Sequence, residues 1–172
     1  MYSVNLAVYI LCGTQFSGKT TLSRAIALQR GWTYVSIDDI AESLLDSSDS
    51  EVTEDQWSEA YTSACEQLTA SLSLGFSVVH DATNIERVTR DHLRALAFQF
   101  GASAHVIYMA VPVEEANRRR IANQAQPQRH DVSEAGFLEL VSSLEPPSAD
   151  ESVLVFDGTL DIVTWIERYV RD

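Results

Sequence analysis

Gly13, Gly18, Lys19 and Thr20 stand at the spacing GxxxxGK[ST], with Thr14, Gln15, Phe16 and Ser17 between them and Thr21 following. Glycines at these places let a short loop wrap with its N–H groups turned inward, and a helix opening behind it adds the positive end of its dipole. A lysine there reaches the β- and γ-phosphates of a nucleoside triphosphate, and the Thr hydroxyl ligates Mg²⁺. Residues 13–21 are therefore expected to bind ATP or another triphosphate, with Lys19 also catalytic and Thr20 on the metal. Lys19 is the only lysine among 12 basic residues, so the rest of the chain does with arginine what this one position does with an ammonium.

Moving a terminal phosphoryl group to a hydroxyl also requires a group that orients and deprotonates the acceptor, and positive charge on the group in flight. Asp38 closes the apolar run 32–37, where either a base or a helix cap belongs. Asp81 follows the run 76–79, with His80 intervening; a place near the magnesium and a cap for the next helix are both open to it. His80 itself reads as a packing or surface residue. Arg118, Arg119 and Arg120 are consecutive, so in a helix they point about 100° apart and at most two face one phosphate. They also suit a helix C-terminus as plain cations. Arg129 lies in the polar, aperiodic stretch 123–131, where a mobile lid would deliver it.

The elements that must position these residues alternate. Residues 4–12 form a short β-rich apolar run suited to a strand buried on both faces. A helix over 19–30 ends at Gly31. A strand over 32–37 is followed by a weaker helix to about residue 45 and a polar loop over 46–50. Thr53 and Gln56 form a capping box, ahead of a helix with Trp57, Tyr61, Ala64, Leu68 and Leu72 inward. A strand over 76–80 leads to a helix over 86–100 with Val88, Leu93, Leu96, Ala97 and Phe100 inward. A strand over 104–110 follows. Pro112 then starts a helix to about residue 123. Ser133 caps another, with Phe137, Leu140, Val141 and Leu144 inward, stopped by Glu145-Pro146-Pro147. A fifth strand over 153–156 and a helix over 162–170 finish the chain. Strand and helix alternating five times predict an α/β fold: a P-loop three-layer sandwich with a five-stranded parallel sheet, helices on both faces and a small lid over about 118–132. One domain over 1–172 is expected. Ligands in such folds sit at the carboxyl ends of the strands, which is where the residues above fall.

Composition narrows the partners. The 172 residues are 45% hydrophobic, as globular chains are, and carry 25 acidic residues against 12 basic for a net charge of −13. An acidic surface repels phosphodiester backbones and so speaks against long nucleic acid, although host salinity produces the same composition. The longest apolar run is too short to cross a bilayer and has no basic residue before it, which predicts a cytoplasmic protein without a membrane partner. Cys12 and Cys65 are isolated and read as small buried hydrophobes.

Taken together the residues resemble the polynucleotide-kinase-like group of P-loop kinases, related to zeta toxins and chloramphenicol phosphotransferase. The likeness runs through the P-loop, Ile37-Asp38-Asp39, and Asp81-Ala82-Thr83-Asn84 with Arg90 beyond. It continues through Val111-Pro112 leading to Arg118–Arg120, and Glu145-Pro146-Pro147 with Glu151. The resemblance implies Asp38 as general base and Asp81, with Asn84 and Arg90, around the acceptor and phosphates, Asp81 also backing the metal. It implies Arg119 as the lid arginine on the donor phosphates and Arg129 as its second, since the position matching that second arginine holds Asn123. In the phage polynucleotide kinase an Arg three residues after the base binds the substrate's phosphate; here that residue is Ala41.

The expectation is thus an ATP- and Mg²⁺-dependent kinase acting on a hydroxyl, with a small-molecule, nucleotide or sugar-nucleotide acceptor ahead of a polynucleotide 5′-hydroxyl. A toxin-type kinase fits the same residues. A nucleotide-dependent switch or ATPase without an acceptor is the alternative from another class.

Overall fold

The computed structural model describes residues 5–46, 51–127 and 132–171. Five parallel strands form one sheet in the order β2-β3-β1-β4-β5. They are β1 (Ala7–Cys12), β2 (Thr33–Ser36), β3 (Val78–Asp81), β4 (Ser103–Met109) and β5 (Val153–Phe156). The helices are α1 (Lys19–Arg30), α2 (Ile37–Ser43), α3 (Glu54–Ser73), α4 (Arg87–Gln99), α5 (Val113–Ala125), α6 (Glu134–Ser143) and α7 (Ile162–Tyr169). A 3-10 turn at Ala149–Glu151, which has no signature in the sequence reading, precedes β5.

β1 is central and all six of its residues are buried. Alternation of side chains divides the core between its two faces. Ala7, Tyr9 and Leu11 pack with Leu22 and Ile26 of α1 and Trp165 and Ile166 of α7. Val8, Ile10 and Cys12 pack with Ala64, Leu68 and Leu72 of α3 and Leu93 and Ala97 of α4. Helices therefore cover both faces, which is what an unbroken apolar run in β1 requires.

Several inward assignments shift by one helical step. Trp57 is 41% exposed and Ala60 takes the buried place instead; Val88 is 70% and Phe100 37% exposed, while Arg90 is fully buried. In α6 only Phe137 is fully buried. Pro112 is the N-cap of α5 rather than its first residue, and the helix runs on to Ala125. Among the described residues no helix is long and apolar enough to cross a membrane.

Candidate functional site at the carboxyl edge of the sheet

The loop after β1 is shaped by contacts at its two glycines. A Cβ on Gly13 would lie 2.9 Å from the Met109 Cβ of β4, nearer than real Cβ atoms come, so only glycine lets the loop leave the sheet here. Gly18 has φ 95°, a left-handed conformation, at the N-cap of α1. Between them Phe16 also sits at φ 61° with its ring buried, a strained backbone for a bulky side chain and of the sort that collects at functional loops. The Thr14 carbonyl gathers the turn, accepting from Lys19 Nζ at 2.7 Å and Ser17 Oγ at 2.8 Å. Lys19 is thereby held, 8% exposed, over the start of its own helix.

The strand ends beside it are level. Ser36 of β2 pairs with Asp81 of β3, and Ile10 of β1 with His80, so Leu11, Asp81 and Ser36 form one row across the sheet. Two bonds tie the loop after β3 to the loop after β1: Gly13 N–H donates to Thr83 O at 3.0 Å, and Asn84 Nδ2 donates to Leu11 O at 2.7 Å. Asn84 is buried at φ 42°, and its amide also lies 3.2 Å from His80 Nδ1. Burial lowers His80 to about 4, so the ring is neutral and Nδ1 accepts that bond. Asn84, expected beside the acceptor, latches the two loops together through its amide nitrogen, which is spent on β1 and on His80. Of the two readings of His80, packing or surface, its full burial selects packing, with Asn84 as its partner.

Asp81 is 4% exposed and its Oδ2 accepts the Tyr34 hydroxyl at 2.8 Å. Burial first, then the Asp81 charge, push Tyr34 up to about 12, so it stays a donor. Arg24 of α1 covers the Tyr34 ring at 5.5 Å and pairs with Asp39 at 3.2 Å, which places this face of Asp81 toward α1. Asp38 is exposed in the first turn of α2. The cap of that helix is Ser36, whose Oγ accepts from Asp39 N–H at 3.1 Å, so Asp38 is not needed as a cap. β2 is also shorter than 32–37, and the carboxylate rides on a helix rather than on a strand end.

The three consecutive arginines of α5 divide as the helix turns. Arg119 reaches the loop, its NH1 donating to Phe16 O at 3.3 Å while Nε donates to Glu115 at 2.8 Å. Arg118 faces outward and pairs with Glu115. Arg120 turns inward, donating to Val132 O at 3.1 Å beneath the Phe137 ring. Arg129 lies outside the described residues. Beside the loop, Phe16, Gly18, Thr21, Arg119, Ala122, Asn123 and Gln126 line an open cleft of about 390 Å³. Ala122 and Gln126 escaped the sequence reading, and Asn123 entered it only as the residue at the second arginine's place, although 119, 122, 123 and 126 are one helical stripe.

Arg90, expected to bind the acceptor, lies in the core. The side chain is fully buried, with Nε on Glu151 Oε2 at 2.6 Å and NH2 on Oε1 at 3.1 Å. Its NH1 donates to the carbonyls of Asn84 at 3.0 Å and Ile85 at 2.9 Å. It therefore fixes the backbone of the loop that follows Asp81. Burial works to raise Glu151, but its bonds to Arg90 and to the Ser148 N–H outweigh this and hold the carboxyl below its ordinary 4.5.

A glycine-framed loop with a buried lysine, facing an arginine from the helix after β4, on a β2-β3-β1-β4-β5 parallel sheet, defines a P-loop kinase-like α/β protein. A family model described as an AAA domain matches residues 8–147, and the chain belongs to that family. Solved structures agree in fold. A candidate kinase of Chloroflexus aurantiacus superposes with a TM-score of 0.79 at 21% identity, covering 97% of this chain and 100% of that one. A sugar kinase of Janibacter sp. gives 0.68 at 22%, covering 95% and 91%. The Mycobacterium tuberculosis APS kinase, solved with AMPPNP and APS, gives 0.69 at 14%, covering 98% and 97%. No curated protein matches the sequence.

Proposed function

We propose that the chain is an ATP-dependent kinase that transfers the γ-phosphoryl group to the hydroxyl of a small molecule. The observation that carries this reading is the reach of Arg119 from α5 to the Phe16 carbonyl, beside a loop whose Lys19 is already folded over its own helix N-terminus. That pairing supplies positive charge on two sides of one phosphoryl group, and phosphoryl transfer depends mainly on such charge and on positioning.

Loop N–H groups and Lys19 hold the β- and γ-phosphates, and Arg119 neutralises charge that builds on the oxygens in transit. Arg129 is the second lid cation in this reading. The acceptor hydroxyl oxygen bonds to the γ-phosphorus as the bond from that phosphorus to the bridging β,γ-oxygen breaks. ADP leaves, and the hydroxyl proton goes to Asp38, which stands exposed two residues beyond the strand-end row. Thr20 and Asp81 offer the hard oxygen donors that Mg²⁺ takes, and the described residues hold no cluster of three or more metal-ligating side chains. That donor set suits an ion completed by substrate phosphates and water. Mg²⁺ held there would offset phosphate charge.

The resemblance to polynucleotide-kinase-like enzymes and to zeta toxins supports Asp38 as the base. It does not extend to a 5′-hydroxyl polynucleotide acceptor, because Ala41, where the phage enzyme has its phosphate-binding arginine, is fully buried. The Asp38→Asn variant tests the reading. It should keep the ATP-induced rise in melting temperature and lose phosphoryl transfer by a factor on the order of 10²–10⁴. Undiminished transfer would remove Asp38 from the mechanism. ATP hydrolysis that ignores every acceptor would favour the switch or ATPase reading instead.

A further inference from the structure

We infer that the acceptor is an alcohol with no phosphate, sulfate or carboxylate group, either uncharged or bearing an amine. This rests on the kinase reading above and narrows it, setting aside nucleotides and sugar nucleotides. The site is the one formed by the P-loop and Asp38; the charge around it decides only what it accepts.

The two halves of the site fall on opposite sides of β1. The cleft beside the P-loop opens between α1 and α5, on the side of β4. The other side is built by residues 31–86, which supply β2, α2, α3, β3 and the loop after it. Those 56 residues contain 12 acidic side chains and not one lysine or arginine. The remaining 116 residues hold 13 acidic and all 12 basic ones, so nearly the whole net charge of −13 falls in a third of the chain. Adaptation to salt or a biased codon usage would acidify the whole surface, and it does not produce this division.

Among the described residues, the arginines that border this half already have carboxylate partners. The one histidine of the segment, His80, is fully buried and neutral at physiological pH. From α1, Arg24 is committed to Asp39 and the Tyr34 ring. From α4, Arg90 is buried on Glu151 and Arg87 is paired with Asp91 and Asp150. Anionic ligands are otherwise taken up by helix N-termini, but α2 presents Asp38 and Asp39 in its first turn and Ser36 already as its cap. A phosphate brought to the start of α2 meets carboxylates where a helix N-terminus would otherwise have welcomed it.

The test uses the full chain, labelled ATP with Mg²⁺, and matched acceptors. The acceptors are a nucleoside and its 3′-monophosphate, a hexose and its 6-phosphate, an aminoglycoside, and a 5′-hydroxyl oligonucleotide. Uncharged or aminated members should exceed their anionic counterparts at least about tenfold in kcat/KM. Preferential labelling of a phosphorylated small molecule overturns the inference and leaves the kinase reading standing, whereas preferential labelling of the oligonucleotide overturns the inference and the small-molecule part of that reading. Labelling of none of them, while ATP still raises the melting temperature, overturns both. A Glu42→Lys, Asp46→Lys double variant should raise the ratio of phosphorylated to uncharged acceptor several-fold, with the KM for ATP unchanged. An unmoved ratio would sink the placement of the acceptor beside α2.

Discussion

Tyr34 donates its hydroxyl to Oδ2 of Asp81 at 2.8 Å, and the guanidinium of Arg24 lies over the same ring at 5.5 Å. One tyrosine thus joins α1, β2 and the end of β3 at the carboxylate proposed for the metal position. Replacing it by phenylalanine keeps the ring under Arg24 and removes only the donor. Tyr34→Phe should cost about 1 kcal/mol in denaturant unfolding and raise the Mg²⁺ concentration needed for half-maximal transfer. An unchanged magnesium requirement would leave Tyr34 a purely structural residue.

The Arg90–Glu151 pair should behave as a buried unit. Arg90→Met alone strands a carboxylate in the core and should destabilise by about 3–5 kcal/mol, with Arg90→Met, Glu151→Leu recovering much of it. Glu151 is held below its ordinary value, so its contribution is present above about pH 4.5 and is lost as pH falls through the folded value. Urea unfolding at pH 7 and pH 4 measures both effects.

His80 gives a second pH dependence of the same sign, although here the fold favours the neutral form and not the charged one. Its neutral form is favoured in the fold, so the chain should lose about 3 kcal/mol of stability as pH falls from 6.5 to 4, where the unfolded state takes up a proton and the fold does not. His80→Leu should flatten that slope. A slope unchanged in the variant would assign it elsewhere.

The three arginines of α5 should separate cleanly under alanine substitution. Arg118→Ala should change stability by less than about 0.5 kcal/mol. Arg120→Ala should cost about 1–3 kcal/mol through its lost bond to Val132 and its place under Phe137. Arg119→Ala should leave the melting temperature alone and lower kcat by a factor on the order of 10²–10³. Equal effects at all three would contradict the division seen in the helix.

Local chemistry made the phosphate loop legible, since glycine spacing, strand and helix start lie within fifteen residues and depend on nothing distant. The five-strand alternation was legible for the same reason. Arg90 was not, because its burial is set by Glu151, 61 residues away in a 3-10 turn that carries no periodicity. Asp38 and Ser36 both satisfy cap preferences, and only the register of β2 against β3 shows which one caps. Trp57 fits the helical stripe by spacing, yet the smaller Ala60 is what the packing of α3 against the sheet admits.

Ser36 ends β2 and caps α2 at once, with no residue between strand and helix. That junction has no slack. A single inserted or deleted residue between Ser36 and Asp38 would swing the carboxylate about 100° around the helix axis, so the spacing from strand end to carboxylate should stay fixed among descendants of the same ancestor even where Ile37 between them changes.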